Sequence, residues 1–194
     1  MTLSRTSNRR WQAELETGLT RFTRQEAKTF FEIFHFLNPV NPVYFKMIEF
    51  NEDHSQEMRA HGERDYPFEC CGLMLGRFDK GRKQVVETYP ISNAREEAAK
   101  RNRFLIRPEE LMRGEKYARE KGLDVVGFYH SHPDDRAVPS QYDLEHAWPT
   151  YSYTVIAVEK GQAVDLRSWE MEPDRSRFNE EEILTPSPSG RGLG

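Results

Sequence analysis

The sequence predicts an α/β (α+β) fold, a mixed β-sheet flanked by helices. Two observations carry this. Short β-branched and apolar runs interleave with helix-type segments through the middle of the chain, the signature of a sheet covered by helices. At 194 residues with 37% hydrophobic content, the chain is long enough for one domain with a core and extensions. The mean hydropathy of -0.83 marks it as polar overall, and no apolar run approaches the roughly 20 residues of a membrane helix.

Residues 1–43 differ in character from the remainder of the chain and read as an N-terminal extension. Thr23 and Glu26 have the form of a capping box, followed by the apolar residues Phe30, Phe31, Ile33, Phe34, Phe36 and Leu37. A helix is expected over 23–37, stopped by the NPVNPV stretch. An alternative is that Met47 is the true start and the preceding residues are a misassigned extension. The domain proper spans 44–172. A helix is expected over 52–65, ended by Pro67, then strands over 71–78 (CGLMLGRF) and 82–91 (RKQVVETYPI). RNRFLIR, 101–107, reads as a short strand. Residues 108–122 read as a helix with Pro108 at its first position and Gly122 at its end. LDVVGFYH, 123–130, is a buried-type strand, SQYDLEHAW, 140–148, a short helix, and 151–159 and 162–170 are strands joined through Lys160-Gly161. From 173 to 194 the chain is charged, then rich in Pro, Ser and Gly, and reads as a flexible tail.

The net charge of -4 and pI of about 5.9 give no electrostatic footprint for nucleic acid or a membrane surface. The cysteines are adjacent, Cys70-Cys71, with no C-x-x-C, which fits a reducing compartment. With no signal-peptide core at the N-terminus, a cytoplasmic location is expected. Both cysteines read as small buried residues rather than redox groups or ligands.

The chemistry concentrates in 127-GFYHSHPDDRAVPSQYDLEHAWP-149. On a strand, residues i and i+2 share a face, so His130 and His132 can share a metal ion. Zinc takes His nitrogen and Asp oxygen, and catalytic sites use three protein ligands with one position open. Pro133 and Pro139 bound a loop, Ser140 starts a helix, and Asp143 lies one turn in, able to face back. The alternative for Ser140 is an N-cap alone, and the two roles are compatible. Asp134 and Asp135 are rival carboxylates, but they come so soon after the histidines that both are expected in the turn. His146 lies on the same helix as Asp143 and is expected beside the site or at the surface. A hydrolytic zinc site also needs a carboxylate to move protons. Glu69, in YPFECCGLMLG, is the candidate, because a carboxylate among residues that look buried is unusual.

Together these residues resemble the JAMM (MPN+) metalloprotease family. Its pattern is an upstream Glu, then His-x-His, seven residues, and Ser-x-x-Asp; here it reads Glu69, His130-Ser131-His132, PDDRAVP, and Ser140-Gln141-Tyr142-Asp143. The resemblance covers about residues 47–170, and the YPxECCG and HSHP-to-HAWP text looks like the small bacterial stand-alone members. It implies a cytidine-deaminase-like mixed sheet flanked by helices. It implies one zinc ion per chain on His130, His132 and Asp143, Glu69 as general base and then acid, and Ser140 as donor to the developing oxyanion. It implies hydrolysis of a peptide or isopeptide bond after the C-terminal glycine of a ubiquitin-like or sulfur-carrier protein ending in Gly-Gly. Such enzymes trim residues beyond that end or release cysteine from it. Two other readings stand beside this one: a RadC-like DNA-associated protein, which shares a similar His-x-His-Pro and Ser-x-x-Asp segment, and a non-catalytic MPN scaffold, whose members usually lose ligands. A nucleoside deaminase would want a His/Cys/Cys set with P-C-x-x-C, which this chain lacks.

Overall fold

The computed structural model describes residues 47–79 and 81–185. The expected extension 1–43, its helix at 23–37 and residues 186–194 of the tail lie outside them. Among the described residues the strands are β1 (Met47–Glu49), β2 (Cys71–Asp79), β3 (Arg82–Ile91), β4 (Asp124–Pro133), β5 (Ser152–Glu159), β6 (Gln162–Met171) and β7 (Phe178–Leu184). The helices are α1 (Glu52–Asp65), α2 (Pro108–Glu120) and α3 (Gln141–His146), with a 3-10 turn at Glu97–Ala99. The expected mixed sheet with flanking helices is present. Its order is β1-β3-β2-β4-β5-β6-β7, closed into a barrel where β7 pairs with β1 in parallel. β4 and β5 are also parallel, and the crossover between them carries α3.

β2 is buried on both faces because alternate side chains feed two clusters. Cys70, just before it, and Met74 join Ile48, Met58, Val126, Tyr129 and Ile156 in the cluster on the α1 side. Cys71, Leu73 and Leu75 join Ile91, Ala118 and Leu123 in the cluster on the α2 side. The β2–β4 register shifts between Met74 and Leu75, so that Gly127 and Val125 are their partners and Val126 is the extra residue. A bulge of this kind re-aims the side chains beyond it. Val126 and Tyr129 therefore share the α1 cluster, while Phe128 packs with the α2 cluster. His130 and His132 accompany Phe128 onto the α2 side, where the His130 ring lies 4.7 Å from Phe104.

Two expectations are corrected. Residues 101–107 are not a strand. Their backbone groups are taken up locally: Leu105 N donates to the Asn93 side chain, and the Arg103 carbonyl accepts from it. The tail does not begin at 173, because β7 completes the sheet between β6 and β1. The acidic text FNEEEIL conceals a strand whose Glu181 points inward. Lys83, fully buried, places its Nζ 3.0 Å from Glu170 Oε1 and 3.4 Å from Glu181 Oε1, and Ser168 Oγ donates to Glu181 Oε2 at 2.9 Å.

Burial pushes the Glu181 carboxyl up and the Lys83 charge pulls against that. Lys83→Met is expected to destabilise the fold by about 3–5 kcal/mol near neutral pH, since it strands buried carboxylates. A carboxyl whose folded pKa exceeds its unfolded one makes the native state bind more protons, so stability falls as pH rises above the ordinary carboxylate value. The deficit of the Met variant should therefore shrink from pH 7.5 to pH 5, as read by urea melts of both proteins. A deficit independent of pH would mean that Glu181 is not stranded.

Gly127 lies opposite Ser152 where β4 pairs with β5. A Cβ there would lie 2.4 Å from the Ser152 carbonyl oxygen and 2.5 Å from Met74 Cε. Gly127→Ala is expected to cost about 2 kcal/mol, or roughly 4–8 °C in Tm, from overpacking against backbone. A thermal melt matching wild type would show that the two strands can part without penalty.

Candidate metal centre

The two histidines end β4. His130 Nε2 and His132 Nε2 face each other at 3.0 Å. The loop after Pro133 turns back through Ala137, which packs under β5 and accepts a bond from Trp169 Nε1 at 3.0 Å. It then delivers α3, whose N-cap is Ser140. The capping box is complete: Asp143 N donates to Ser140 Oγ at 3.3 Å, and Ser140 N donates to Asp143 Oδ2 at 2.6 Å. Ser140 Oγ also donates to Asp143 Oδ2 at 2.7 Å. The cap thus orients the carboxylate toward the histidines. Asp143 Oδ1 lies 3.6 Å from His130 Nε2, and Oδ2 lies 3.7 Å from His132 Nε2.

These three residues form the one group of metal-ligating side chains found among the described residues. Their geometry fits zinc. Ligands at about 2.0–2.2 Å in a tetrahedron stand roughly 3.3–3.6 Å apart, and the separations here bracket that range. The proton placement fits too. His132 Nδ1 bonds the Arg136 carbonyl at 2.9 Å. A carbonyl only accepts, so Nδ1 carries the hydrogen and Nε2 offers its lone pair to the centre. Among the described residues His130 Nδ1 is buried without a hydrogen-bond partner, and the ring packs against Phe104.

Charge is arranged to keep the carboxylate ionised. Burial pushes Asp143 up, but the imidazoles and the Ser140 hydroxyl outweigh it and hold the carboxyl well below the usual range. Burial lowers His130. For His132 burial is outweighed by the Asp143 and Glu69 carboxylates, and its pKa is raised.

Glu69 is buried in the bend before β2, at 5% exposure. Cys71 pairs with His130 in the antiparallel β2–β4 ladder, and Ser131 N donates to Cys70 O at 3.3 Å. Two residues before Cys71, the same register sets Glu69 across from His132. Its N–H donates to Lys100 O at 2.8 Å and its carbonyl accepts from Asn93 Nδ2 at 2.9 Å. Burial pushes the Glu69 carboxyl up to about 8; the His132 charge pulls it down and the Asp143 charge pushes it further up.

The rival residues are engaged elsewhere. Asp134 accepts from Tyr66 Oη, from Lys160 N and from Arg101, and Asp135 accepts from Arg136 N. His146 is exposed, stacked on Tyr142 at 3.9 Å, with Nδ1 on the Tyr142 carbonyl. Cys70 and Cys71 are buried and unpaired in a disulfide. Burial pushes the Cys70 thiol up to about 12 and raises Cys71 as well, which suits inert packing residues. Sequence reasoning missed Asn93, Arg95, Arg103 and Tyr142. Only the turn-forming Ser92-Asn93 pair after β3 hinted at the first.

The family model described as "Prokaryotic homologs of the JAB domain" matches residues 51–172, well over half of the chain. The chain belongs to this family. The JAB domain here is similar to a "Desampylase" of Haloferax volcanii, 39% identical over 94 residues, covering 48% of this chain and 65% of that protein. It is also similar to a "Probable TtuB-protein conjugate cleaving protease" of Thermus thermophilus, 30% identical over 104 residues, covering 54% of this chain and 66% of that protein. The chain therefore spans just under two thirds of the length of these two curated relatives. Among solved structures, the JAB domain resembles a Desulfitobacterium hafniense protein at TM-score 0.64 and 32% identity, covering 73% of this chain and 94% of that one. A Salinibacter ruber protein matches at TM-score 0.59 and 38% identity, covering 74% and 94%.

Proposed function

We propose that this chain is a zinc-dependent peptidase or isopeptidase that hydrolyses the bond after the C-terminal glycine of a ubiquitin-like or sulfur-carrier protein. The observation that carries the reading is the convergence of His130, His132 and Asp143 within ligand distance of one another, with a buried carboxyl, Glu69, set across from His132. The relatives named for cleaving conjugates support the substrate class.

In this reading His130, His132 and Asp143 hold one zinc ion. When bound, zinc supplies a Lewis acid that activates water near neutral pH. Glu69 accepts the proton of the attacking water and delivers it to the leaving amine. A carboxyl whose proton affinity burial has raised suits both halves of that task. Ser140, fixed at the helix start beside the ligand carboxylate, is the donor assigned to the developing oxyanion. The C–N bond breaks, and the products are a carrier carboxylate and a free amine.

The test is cleavage of a small ubiquitin-like protein fused through Gly-Gly to a reporter. The zinc-loaded chain is expected to release the reporter. A strong chelator should abolish release, and added zinc should restore it. Release that survives chelation would remove the metal from the mechanism. Bound zinc with no release from α-linked or lysine-linked fusions would favour the scaffold reading.

A further inference from the structure

Beside the metal centre lies a cationic platform that the proposed chemistry does not yet use. Tyr142, the residue before Asp143, carries Arg103 over its ring at 4.5 Å and Arg95 at 5.4 Å from the centroid. Neither guanidinium has a carboxylate partner within 4 Å among the described residues. Among the described residues Arg95 Nε is buried without a hydrogen-bond partner, and the one hydrogen bond of the Arg103 guanidinium goes to the carbonyl of Asn102. Leaving a buried guanidinium donor unpaired is costly, so the arrangement is poised for a ligand oxygen. Two forked guanidiniums held against an aromatic face suit a carboxylate.

The platform is braced. Asn93 spends its whole hydrogen-bonding capacity on it: Nδ2 donates to the carbonyls of Glu69 at 2.9 Å and Arg103 at 3.0 Å. Oδ1 accepts from Arg95 N at 3.0 Å and Leu105 N at 3.2 Å. One side chain thus ties the backbone of Glu69 to both arginine-bearing loops. Both arginine-bearing loops are thereby fixed beside Glu69.

That side is where the leaving amine must come to receive its proton. In an α-linked extension the amine and the carboxylate of a single released residue are joined through one carbon. In a lysine conjugate the α-carboxylate is a side chain away and is tied up in the chain. We propose that Arg95 and Arg103, stacked on Tyr142 and braced by Asn93, form a subsite for the α-carboxylate of the residue released after the carrier's terminal glycine. The enzyme then favours trimming a free C-terminal residue over opening an isopeptide. This rests on the peptidase reading for its cleavage arm only.

The test uses the full chain, zinc-supplied, and three synthetic peptides: acetyl-Gly-Gly-Ala as free acid, its C-terminal amide, and acetyl-Gly-Gly-Asp amide. Binding is measured calorimetrically on the Glu69→Gln protein, and kcat/KM on the wild type. The free acid is expected to bind at least about tenfold more tightly than the amide, the effect of a charge-assisted hydrogen bond. In Arg95→Met/Arg103→Met that ratio should fall to about one. Equal binding of acid and amide, or a ratio untouched by the double substitution, would overturn the proposal. So would an Asp amide that binds as well as the free acid, since any carboxylate would then serve. If none of the peptides or the carrier fusions is cleaved, the peptidase reading fails, and the binding ratio still decides the subsite.

Discussion

Replacing Asp143 with alanine is expected to strip the protein of its zinc. Wild type should carry about one zinc per chain by elemental analysis, and Asp143→Ala close to none after dialysis. The reason lies in how the three proposed ligands divide the work. His130 and His132 come from one strand and stand 3.0 Å apart whatever α3 does. Asp143 is the only carboxylate of the set and the only ligand from another element. Without it two neutral imidazoles remain, and the site loses both a ligand and its negative charge. Loss of a mere supporting partner of a ligand costs about 10–100-fold in affinity; loss of the ligand should cost more. The substitution also removes half of the capping box at Ser140, worth roughly 1 kcal/mol, so the variant should still melt cooperatively, a few degrees lower. Asp134→Ala is the control. Its carboxylate is bonded to Tyr66, Lys160 and Arg101, so zinc should stay at about one. An Asp143→Ala protein that keeps a full zinc with wild-type affinity would remove this residue from the ligand set.

Most of this centre was legible because it is local. His130, His132, Ser140 and Asp143 lie within one strand–loop–helix unit, where strand alternation, two prolines and a capping pattern each leave a mark in the text. Glu69 was found from its oddness, a carboxylate among residues that read as buried. What brings it across from His132 is the β2–β4 register, and an apolar run buried on both faces, as β2 is, lacks the alternation that would mark it. The bulge at Val126 was equally invisible, although without it strict alternation would put Phe128, His130 and His132 on the face of Val126, in the α1 cluster. Asn93, Arg95 and Arg103 sit in irregular loops, held by side-chain-to-backbone bonds and ring contacts that carry no periodic pattern. β7 was hidden for another reason. A strand rich in glutamate looks like a solvated tail until a lysine on β3 is found buried against it. Long-range charge pairing inside a barrel overrides the local compositional signal.

Glu69→Gln is expected to keep the zinc and lose the reaction. Glutamine preserves the volume of the side chain, and the bonds that fix residue 69 are made by its backbone, to Lys100 O and Asn93 Nδ2. The ligand set is untouched, so zinc should remain at about one per chain. Burial already disfavours the ionised carboxyl, so the neutral amide should leave the melting temperature at neutral pH unchanged or higher. What disappears, in the proposed mechanism, is the carboxyl that takes a proton from the attacking water and returns it to the leaving amine. An amide can do neither, and removal of a general acid–base typically costs about 10²–10⁴-fold in rate. Single-turnover cleavage of the Gly-Gly fusion by zinc-matched wild type and variant reads this directly. A fall in rate with zinc and stability intact separates a proton-transfer role from a structural one, since a structural role would move all three quantities together. Retention of near wild-type cleavage would mean that the proton travels by another route, and the assignment of Glu69 would have to be abandoned while the metal ligands stood.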